Sequence, residues 1–266
     1  MRISMLQMNI KLNSPRENFA HAEELVRKAA LQHPDVITLP ETWTTGFAPE
    51  GNIGDFADQD CAQVRETFSA LAKELHVNII AGSVVNRKPD GHLYNTACVF
   101  DREGKMIAQY DKVHLYSPAG EDKTFRAGNS PCNFTLDGVP CSLVICYDIR
   151  FPELFRAMAV RGAKLIFLPA QFNMKTGPAH WDMSLRMRAV DNEVFVAGAS
   201  AARYDGFSYE CWGHSAVADP FGELIAQCDE KEQILYADIN LDRVEEVRAS
   251  LPTFNCLRRD VYTVAD

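Results

Sequence analysis

The amino-acid sequence predicts an α/β protein in which two β-sheets pack face to face and helices cover both outer faces. Helical and strand patterns alternate in the first part of the chain, and several strand patterns then follow one another. Most strand segments are continuous apolar runs. A strand that is apolar along its whole length is buried on both faces, and a double sheet flanked by helices provides that burial.

The composition of the 266 residues is that of a globular chain, with 47% hydrophobic residues and no gap that would mark a linker. We therefore expect a single domain over residues 1–266. The formal net charge of −9 argues against nucleic acid as a partner. Without a signal-peptide pattern or an apolar run of about 20 residues, the sequence predicts a cytoplasmic protein that does not bind membranes.

The eight cysteines are scattered, with no CxxC pair and no cysteine–histidine spacing of the kind that binds zinc. Neither a disulfide framework nor a metal site is indicated, and we expect no cofactor.

The first elements are a strand at residues 3–8 and a helix that runs to about Gln32. The sequence Ser14-Pro15-Arg16-Glu17 combines a serine N-cap, a proline in the first helical position and a glutamate three residues after the cap, which is a helix start. Its apolar stripe is at the spacing of a helix that packs on a sheet. These stripe residues are Phe19, Ala22, Leu25, Val26 and Ala29.

Two polar side chains follow predicted strands in the first half of the chain. A short strand at residues 35–39 ends at Pro40, and Glu41 comes directly after it. A helix at 60–76 and strands at 78–83, 95–100 and 106–110 lead to Lys112. A long loop at 110–128 then carries Glu121, and long loops in compact domains are often functional.

The centre of the chain is the segment CSLVICYDIRFPE, residues 141–153. The sequence predicts a buried strand at 142–146, so that Cys146 lies at its carboxyl end, where ligands bind in open α/β folds. An isolated cysteine is more often a small buried hydrophobic residue. Here a dense polar group follows at once, which a plain core would avoid. That group is Tyr147, Asp148, Arg150 and Glu153.

The second half repeats the alternation of strands and helices. Helices are predicted from Phe151 to Arg161, at 178–191 and at 241–250, the last capped by Asn240. Strands are predicted at 163–169, 194–200, 214–218, 224–226 and 234–239. The carboxyl-terminal tail is long and aromatic, and we expect it to pack on a partner subunit.

Three separated motifs resemble the nitrilase, or carbon-nitrogen hydrolase, superfamily. They are LPE at 39–41, YDKVHL at 110–115 and VICYDIRFPEL at 144–154, in the order of the family. The resemblance covers essentially the whole chain. It implies a four-layer αββα sandwich and a homodimer, and it carries the family's Glu-Lys-Cys triad over to Glu41, Lys112 and Cys146. Glu121, followed by Phe125 and Gly128, matches a further glutamate of the family.

The ω-amidase branch of the superfamily is the most similar. The segments FNMKTGPAHW, RAVDNEVFVAGASAAR and SYECWGHS resemble enzymes that hydrolyse the side-chain amide of 2-oxoglutaramate and 2-oxosuccinamate. A small-molecule amide is therefore the expected partner. We expect Tyr147, Phe172 and Asn173 to line the pocket and Arg203 to bind a carboxylate, because guanidinium holds carboxylates through two hydrogen bonds.

These residue types suit hydrolysis through a cysteine thioester, with ammonia as the leaving group. Glu41 would serve as base, Lys112 would stabilise the oxyanion together with the Tyr147 N–H, and Glu121 would orient Lys112 or the substrate. The same mechanism would serve an N-carbamoyl amine amidohydrolase, a nitrilase or a deaminated-glutathione amidase. From other classes, a metal-dependent phosphoesterase lacks an evident ligand set, and a redox thiol would leave Glu41 and Lys112 without a role.

Overall fold

The computed structural model describes residues 1–47, 52–204 and 209–263. The strands in these ranges are β1 Arg2–Gln7, β2 Val36–Thr38, β3 Asp58–Gln59, β4 Asn78–Arg87, β5 Leu93–Phe100, β6 Met106–Asp111, β7 Cys132–Leu136, β8 Val139–Leu143, β9 Leu165–Ala170, β10 Phe195–Ser200, β11 Ala216–Ala218, β12 Leu224–Gln227 and β13 Gln233–Asp238. The α-helices are α1 Pro15–Ala30, α2 Ala62–Leu75, α3 Glu121–Thr124, α4 Pro152–Val160, α5 Gly177–Asn192 and α6 Asp242–Ser250.

The strands form two sheets. The first has the order β13-β1-β2-β4-β5-β6, with β3 paired to β4, and the second has the order β12-β11-β10-β9-β8-β7. Parallel strands occupy the middle of each sheet: β1, β2 and β4 in the first, and β8, β9 and β10 in the second. The carboxyl ends of parallel strands share one edge, so the loops after β2 and β9 can meet there.

Two hydrophobic clusters fill the layers. One joins facing side chains of the two sheets and continues to α4 and α5, and the other lies between the first sheet and α1 and α2. The α1 stripe residues are buried in the second cluster. This arrangement of two sheets with helices outside confirms the predicted α/β fold class. Among the helices that the structure describes, none is long and apolar enough to cross a bilayer.

The start of α1 differs from its prediction. The helix begins at Pro15, but the Ser14 hydroxyl donates to the Leu12 carbonyl at 3.0 Å and makes no cap bond to the helix. Glu17 pairs with Lys11 instead of returning to the cap. The proline therefore marks the helix start without a capping box.

The predicted strand at 142–146 was wrong in its bounds. Strand β8 ends at Leu143, although the Val144 N–H still donates to the Phe167 carbonyl at 3.0 Å. The Ile145 N–H turns away from the sheet and donates to the Asp148 carboxylate at 2.9 Å. Cys146 consequently opens a short 3₁₀-helix, Cys146–Arg150, instead of ending a strand.

Strand β7 was not predicted, although the sequence signals it. It pairs with β8 through a turn at Asp137 and Gly138, both at positive φ. Asp-Gly between two strands is a characteristic hairpin turn because its backbone matches their twist.

Candidate active site

The turn at Cys146 holds its backbone in an uncommon conformation. Cys146 has φ of +43°, in the left-handed region that a residue with a Cβ rarely adopts. Such a conformation costs about 1–3 kcal/mol and persists only when the surroundings impose it. Two hydrogen bonds close the turn across Cys146, from the Ile145 N–H to the Asp148 carboxylate and from the Asp148 N–H to the Ile145 carbonyl.

Asp148 also ties this turn to the segment that carries Lys112. Its fully buried carboxylate accepts the Tyr110 hydroxyl at 2.7 Å and the His114 N–H at 3.0 Å. Tyr110 and His114 flank Lys112 by two residues on either side. One carboxylate therefore sets the lysine segment and the cysteine turn relative to each other.

Glu41 is placed by close packing between the end of β2 and β4. The Ser83 N–H donates to the Pro40 carbonyl at 3.1 Å, and the Ser83 hydroxyl accepts the Thr42 N–H at 3.0 Å. Gly82 makes this approach possible, since a Cβ there would lie 2.1 Å from the Pro40 carbonyl oxygen. The glutamate is fully buried at this junction.

The three charged side chains of the site form one buried chain. Lys112 Nζ lies 2.8 Å from Glu41 Oε1 and 2.8 Å from Glu121 Oε2. The Tyr116 N–H also donates to Glu121 Oε2, at 2.6 Å. Burying charges is expensive even when they are paired, so such a cluster is a weak contributor to stability and a strong candidate for a functional site.

The environment shifts the pKa values of Glu41, Lys112 and Cys146. Burial, opposed in part by the Lys112 charge, raises the pKa of Glu41 above its ordinary value. Burial would lower the pKa of Lys112, but the charges of Glu41 and Glu121 raise it overall. Burial and then the negative charge of Glu41 raise the pKa of the Cys146 thiol. At neutral pH the site thus holds an ammonium and a protonated thiol close to Glu41.

Gln171 joins Glu41 to the second sheet and was missed in the sequence. It directly follows β9, its N–H donates to Glu41 Oε2 at 3.0 Å, and its side-chain amide donates to the Glu41 carbonyl at 2.6 Å. The Tyr209 hydroxyl donates to the Gln171 carbonyl at 2.7 Å. The signal that could have found Gln171 is the one that singled out Glu41, a polar residue just after a buried apolar strand.

A small cavity of about 20 Å³ opens onto Cys146. Aromatic rings form much of its wall, and Arg150 contributes a positive charge. The described residues that line it are Phe47, Tyr116, Cys146, Tyr147, Arg150, Phe172, Asn173, Thr176 and Tyr209. This mixed aromatic and polar lining suits a small ligand with a few polar groups.

The structure brings together most of the predicted site residues. Glu41, Lys112 and Glu121 form one hydrogen-bonded cluster, and Cys146 lies next to Glu41. Cys146, Tyr147, Phe172 and Asn173 line the cavity.

Arg203 is placed elsewhere. It is not among the described lining residues, and its guanidinium lies over the Trp212 ring at 5.2 Å and contacts the Trp212 carbonyl. Arg150 lines the cavity instead. Its guanidinium lies 5.1 Å from the Phe172 ring, and its Nη1 is 3.2 Å from His180 Nδ1. The sequence analysis noted Arg150 in the polar group after Cys146 but assigned it no role.

Comparison with known proteins identifies the family. The sequence profile described as carbon-nitrogen hydrolase matches residues 2–249. The chain belongs to the carbon-nitrogen hydrolase family. It is 37% identical to omega-amidase NIT2 of Homo sapiens over 270 residues, which cover 99% of this chain and 97% of that protein. It is 38% identical to 2-oxoglutaramate amidase of Bacillus subtilis (strain 168) over 260 residues, 98% of each chain.

A solved structure supports the same assignment. The crystal structure of Saccharomyces cerevisiae Nit3, a member of branch 10 of the nitrilase superfamily, matches with a TM-score of 0.88 at 29% identity, over 95% of this chain and 94% of that chain. The carbon-nitrogen hydrolase described here is therefore an enzyme, an amidase whose substrate is a small-molecule amide. Within the described residues, no group of three or more His, Cys, Asp or Glu side chains could hold a metal ion.

Proposed function

We propose that this carbon-nitrogen hydrolase is an ω-amidase, which releases ammonia from the terminal amide of 2-oxoglutaramate or 2-oxosuccinamate through a thioester on Cys146. The observation that carries the proposal is the cavity itself. It is lined by the thiol of Cys146, which lies next to the buried Glu41–Lys112 pair, and by Arg150. The names of the two curated relatives support the same substrate class.

In the first half-reaction, Glu41 accepts the thiol proton while the sulfur of Cys146 attacks the amide carbon. The raised pKa of the thiol means that the nucleophile is made at the moment of attack and is not stored as a thiolate. Lys112 stabilises the oxyanion, and the Tyr147 N–H, one residue after the nucleophile, is the second donor. Each donor of this kind contributes about 3–4 kcal/mol.

The tetrahedral intermediate then loses ammonia. Glu41 returns its proton to the leaving nitrogen, the carbon–nitrogen bond breaks, and the acyl group stays on the sulfur as a thioester. In the second half-reaction Glu41 takes a proton from water, the resulting hydroxide adds to the thioester, and the thiol leaves with the proton. Glu121 accepts a hydrogen bond from Lys112 throughout and holds its ammonium beside Glu41.

Arg150 is the group proposed to bind the distal carboxylate of the substrate. It lies on the same 3₁₀-helix as Cys146, four residues later, so one short element carries both the nucleophile and the carboxylate-binding group. His180 Nδ1 lies 3.2 Å from Nη1 of this guanidinium and helps to position it. A fixed spacing between thiol and guanidinium favours short ω-amides with a carboxylate at the far end.

A substrate panel scored by ammonia release tests the substrate class. We expect kcat/KM for 2-oxoglutaramate to exceed that for an N-carbamoyl amine, a nitrile and deaminated glutathione by at least about 100-fold, because only an acid of the right length reaches both Cys146 and Arg150. A higher kcat/KM for one of the other three compounds would assign the enzyme to a sibling activity with the same mechanism.

Replacement of Arg150 by lysine tests the carboxylate contact. We expect the Arg150→Lys variant to raise KM for 2-oxoglutaramate about 10- to 100-fold, because a charge-assisted hydrogen-bond pair contributes about 1.5–3 kcal/mol. Butyramide, which lacks the carboxylate, should be hydrolysed as by the parent enzyme. Arg203→Lys is the matched control and should leave KM unchanged. An equal KM for parent and Arg150→Lys would remove Arg150 from the substrate site.

We also propose that one domain spanning residues 1–266 forms a cytoplasmic homodimer. Exposed apolar side chains in the last described segment support contact with a second copy, since Val261 is 67% and Tyr262 47% exposed. Sedimentation velocity gives the assembled mass, and a species of 29.8 kDa at micromolar concentration would exclude the dimer.

A further inference from the structure

Asn95 lies between the two carboxylates of the site, Glu41 and Glu121. It is fully buried near the start of β5. Its side-chain nitrogen donates to Glu41 Oε1 at 2.9 Å and to Glu121 Oε1 at 3.3 Å. An amide nitrogen carries two protons, so each carboxylate receives one of them.

The backbone of Asn95 holds the third charged residue. Its carbonyl accepts the Lys112 N–H at 2.9 Å. One residue therefore contacts both carboxylates through its side chain and the lysine through its main chain. Because β5 is an interior strand of the first sheet, paired to β4 and β6, this contact point is rigid.

The two carboxylates also set the orientation of the Asn95 amide. Reversing the group would direct its oxygen at two negative charges, which is unfavourable. Its Oδ1 has no hydrogen-bond partner among the described residues. A buried acceptor without a partner is unfavourable for folding. The hydrogen bonds that Asn95 gains at this position are therefore those of its side-chain nitrogen.

These contacts distinguish the two oxygens of Glu41. Oε1 accepts hydrogen bonds from Lys112 Nζ and from Asn95 Nδ2, which occupy both of its lone-pair directions. Oε2 accepts the Gln171 N–H, which leaves its second lone pair for the proton of the thiol. With both lone-pair directions of Oε1 occupied, Oε2 is the oxygen of Glu41 that remains for the interaction with Cys146.

We propose that Asn95 is a positioning residue for amide hydrolysis, which bridges Glu41 and Glu121 and orients Glu41 so that Oε2 takes the thiol proton. The inference rests on the proposed role of Glu41 as the base. Asn95 acts through Glu41 and does not touch the substrate. It should therefore affect kcat and its pH dependence more than substrate binding.

The Asn95→Ala variant tests the proposal, with kcat, KM and the pH profile as readouts. We expect kcat to fall about 10- to 100-fold while KM changes less than about twofold, because orientation of the base is lost and the substrate contacts remain. The acid limb of the kcat/KM profile should move to higher pH, since a donor that favours the carboxylate is removed. An unchanged acid limb with kcat within twofold of the parent would overturn the proposal.

Asn86→Ala is the matched control. Asn86 is a buried asparagine on the adjacent strand β4, where it accepts the Cys61 N–H and donates to Thr96 Oγ1, away from the charged residues. Its loss should lower thermal stability without moving the pH profile. Should Asn95→Ala fail to fold, Asn95→Ser keeps one donor and is expected to give a smaller shift of the acid limb in the same direction; a profile identical to that of the parent would count against the proposal.

A double-mutant cycle separates this inference from the proposed function. In a Glu41→Gln background, Asn95→Ala should lower the residual kcat by less than about twofold, because the carboxylate that it orients is already gone. A full additional loss in that background would show that Asn95 acts independently of Glu41 and overturn the inference alone. An active Glu41→Gln enzyme would instead overturn the proposed mechanism.

Discussion

The Cys146→Ala variant is expected to lose amide hydrolysis by about 10⁴-fold or more, because removal of a covalent nucleophile leaves only binding and electrostatic stabilisation. The side chain lines the cavity, and truncation to alanine removes only the sulfur atom, so the variant should fold. Ammonia release and the thermal unfolding midpoint, measured on the same preparation, check both statements.

Mass spectrometry of the parent enzyme quenched during turnover identifies the nucleophile directly. The adduct should equal the substrate less one ammonia and should lie on the peptide that contains Cys146. Cys141→Ala is the matched control, since Cys141 is fully buried on β8 and should tolerate the change without loss of the adduct. An adduct on one of the other seven cysteines of the chain would contradict the assignment.

The Glu41→Gln variant is expected to lower kcat by about 10²- to 10⁴-fold, the range for loss of a general base. Glutamine keeps the size of the side chain and an acceptor for Lys112, so the buried lysine is not left without a partner. A redox thiol that merely used Cys146 would be little affected. Hydrolysis at the parental rate would exclude Glu41 as the base.

The pH profile gives an independent reading of the same carboxylate. Since burial raises the pKa of Glu41, the active carboxylate form is present above that raised pKa and is lost as the pH falls through it. The acid limb of kcat/KM should therefore lie at higher pH than the titration of an exposed glutamate. In Glu41→Gln the residual activity should show no such limb.

Glu121→Gln is the matched control for the loss of one negative charge beside Lys112. It also removes one of the two carboxylates that contact Lys112, at the same 2.8 Å distance. The expected loss of kcat is smaller, about tenfold, and the acid limb should remain. Equal losses in the two variants would mean that charge around Lys112, and not proton transfer by Glu41, limits the reaction.

Helices and strands whose pattern is set by residues close together in the chain were predictable from the sequence. The apolar stripe of α1 and the continuous apolar runs of the central strands lead to the observed layers, because burial follows the period of each element. The charged site residues could be singled out for the same reason. Glu41 follows a buried strand, Lys112 comes just after β6, and Cys146 precedes a polar group that a core would not tolerate.

Contacts between residues far apart in the chain could not be predicted from the hydrophobic periodicity of the sequence. Strand β8 ends early because the Ile145 N–H donates to the Asp148 carboxylate and not to a neighbouring strand. The apolar run 142–146 contains no signal of this hydrogen bond. The same limit explains why Arg150, and not the predicted Arg203, lines the cavity. The Arg203 guanidinium lies over the Trp212 ring, whereas the 3₁₀-helix places Arg150 at the cavity wall.

Local pattern and residue chemistry were enough to predict the fold class, the family motifs and the three residues that combine a carboxylate, an ammonium and a thiol. The contacts that hold these residues depend on tertiary packing: Asp148 joins the lysine segment to the cysteine turn, Gln171 joins the two sheets, and Asn95 joins the two carboxylates. Hydrogen bonds between residues tens of positions apart depend on how whole sheets pack together, and no periodic pattern in the sequence indicates them.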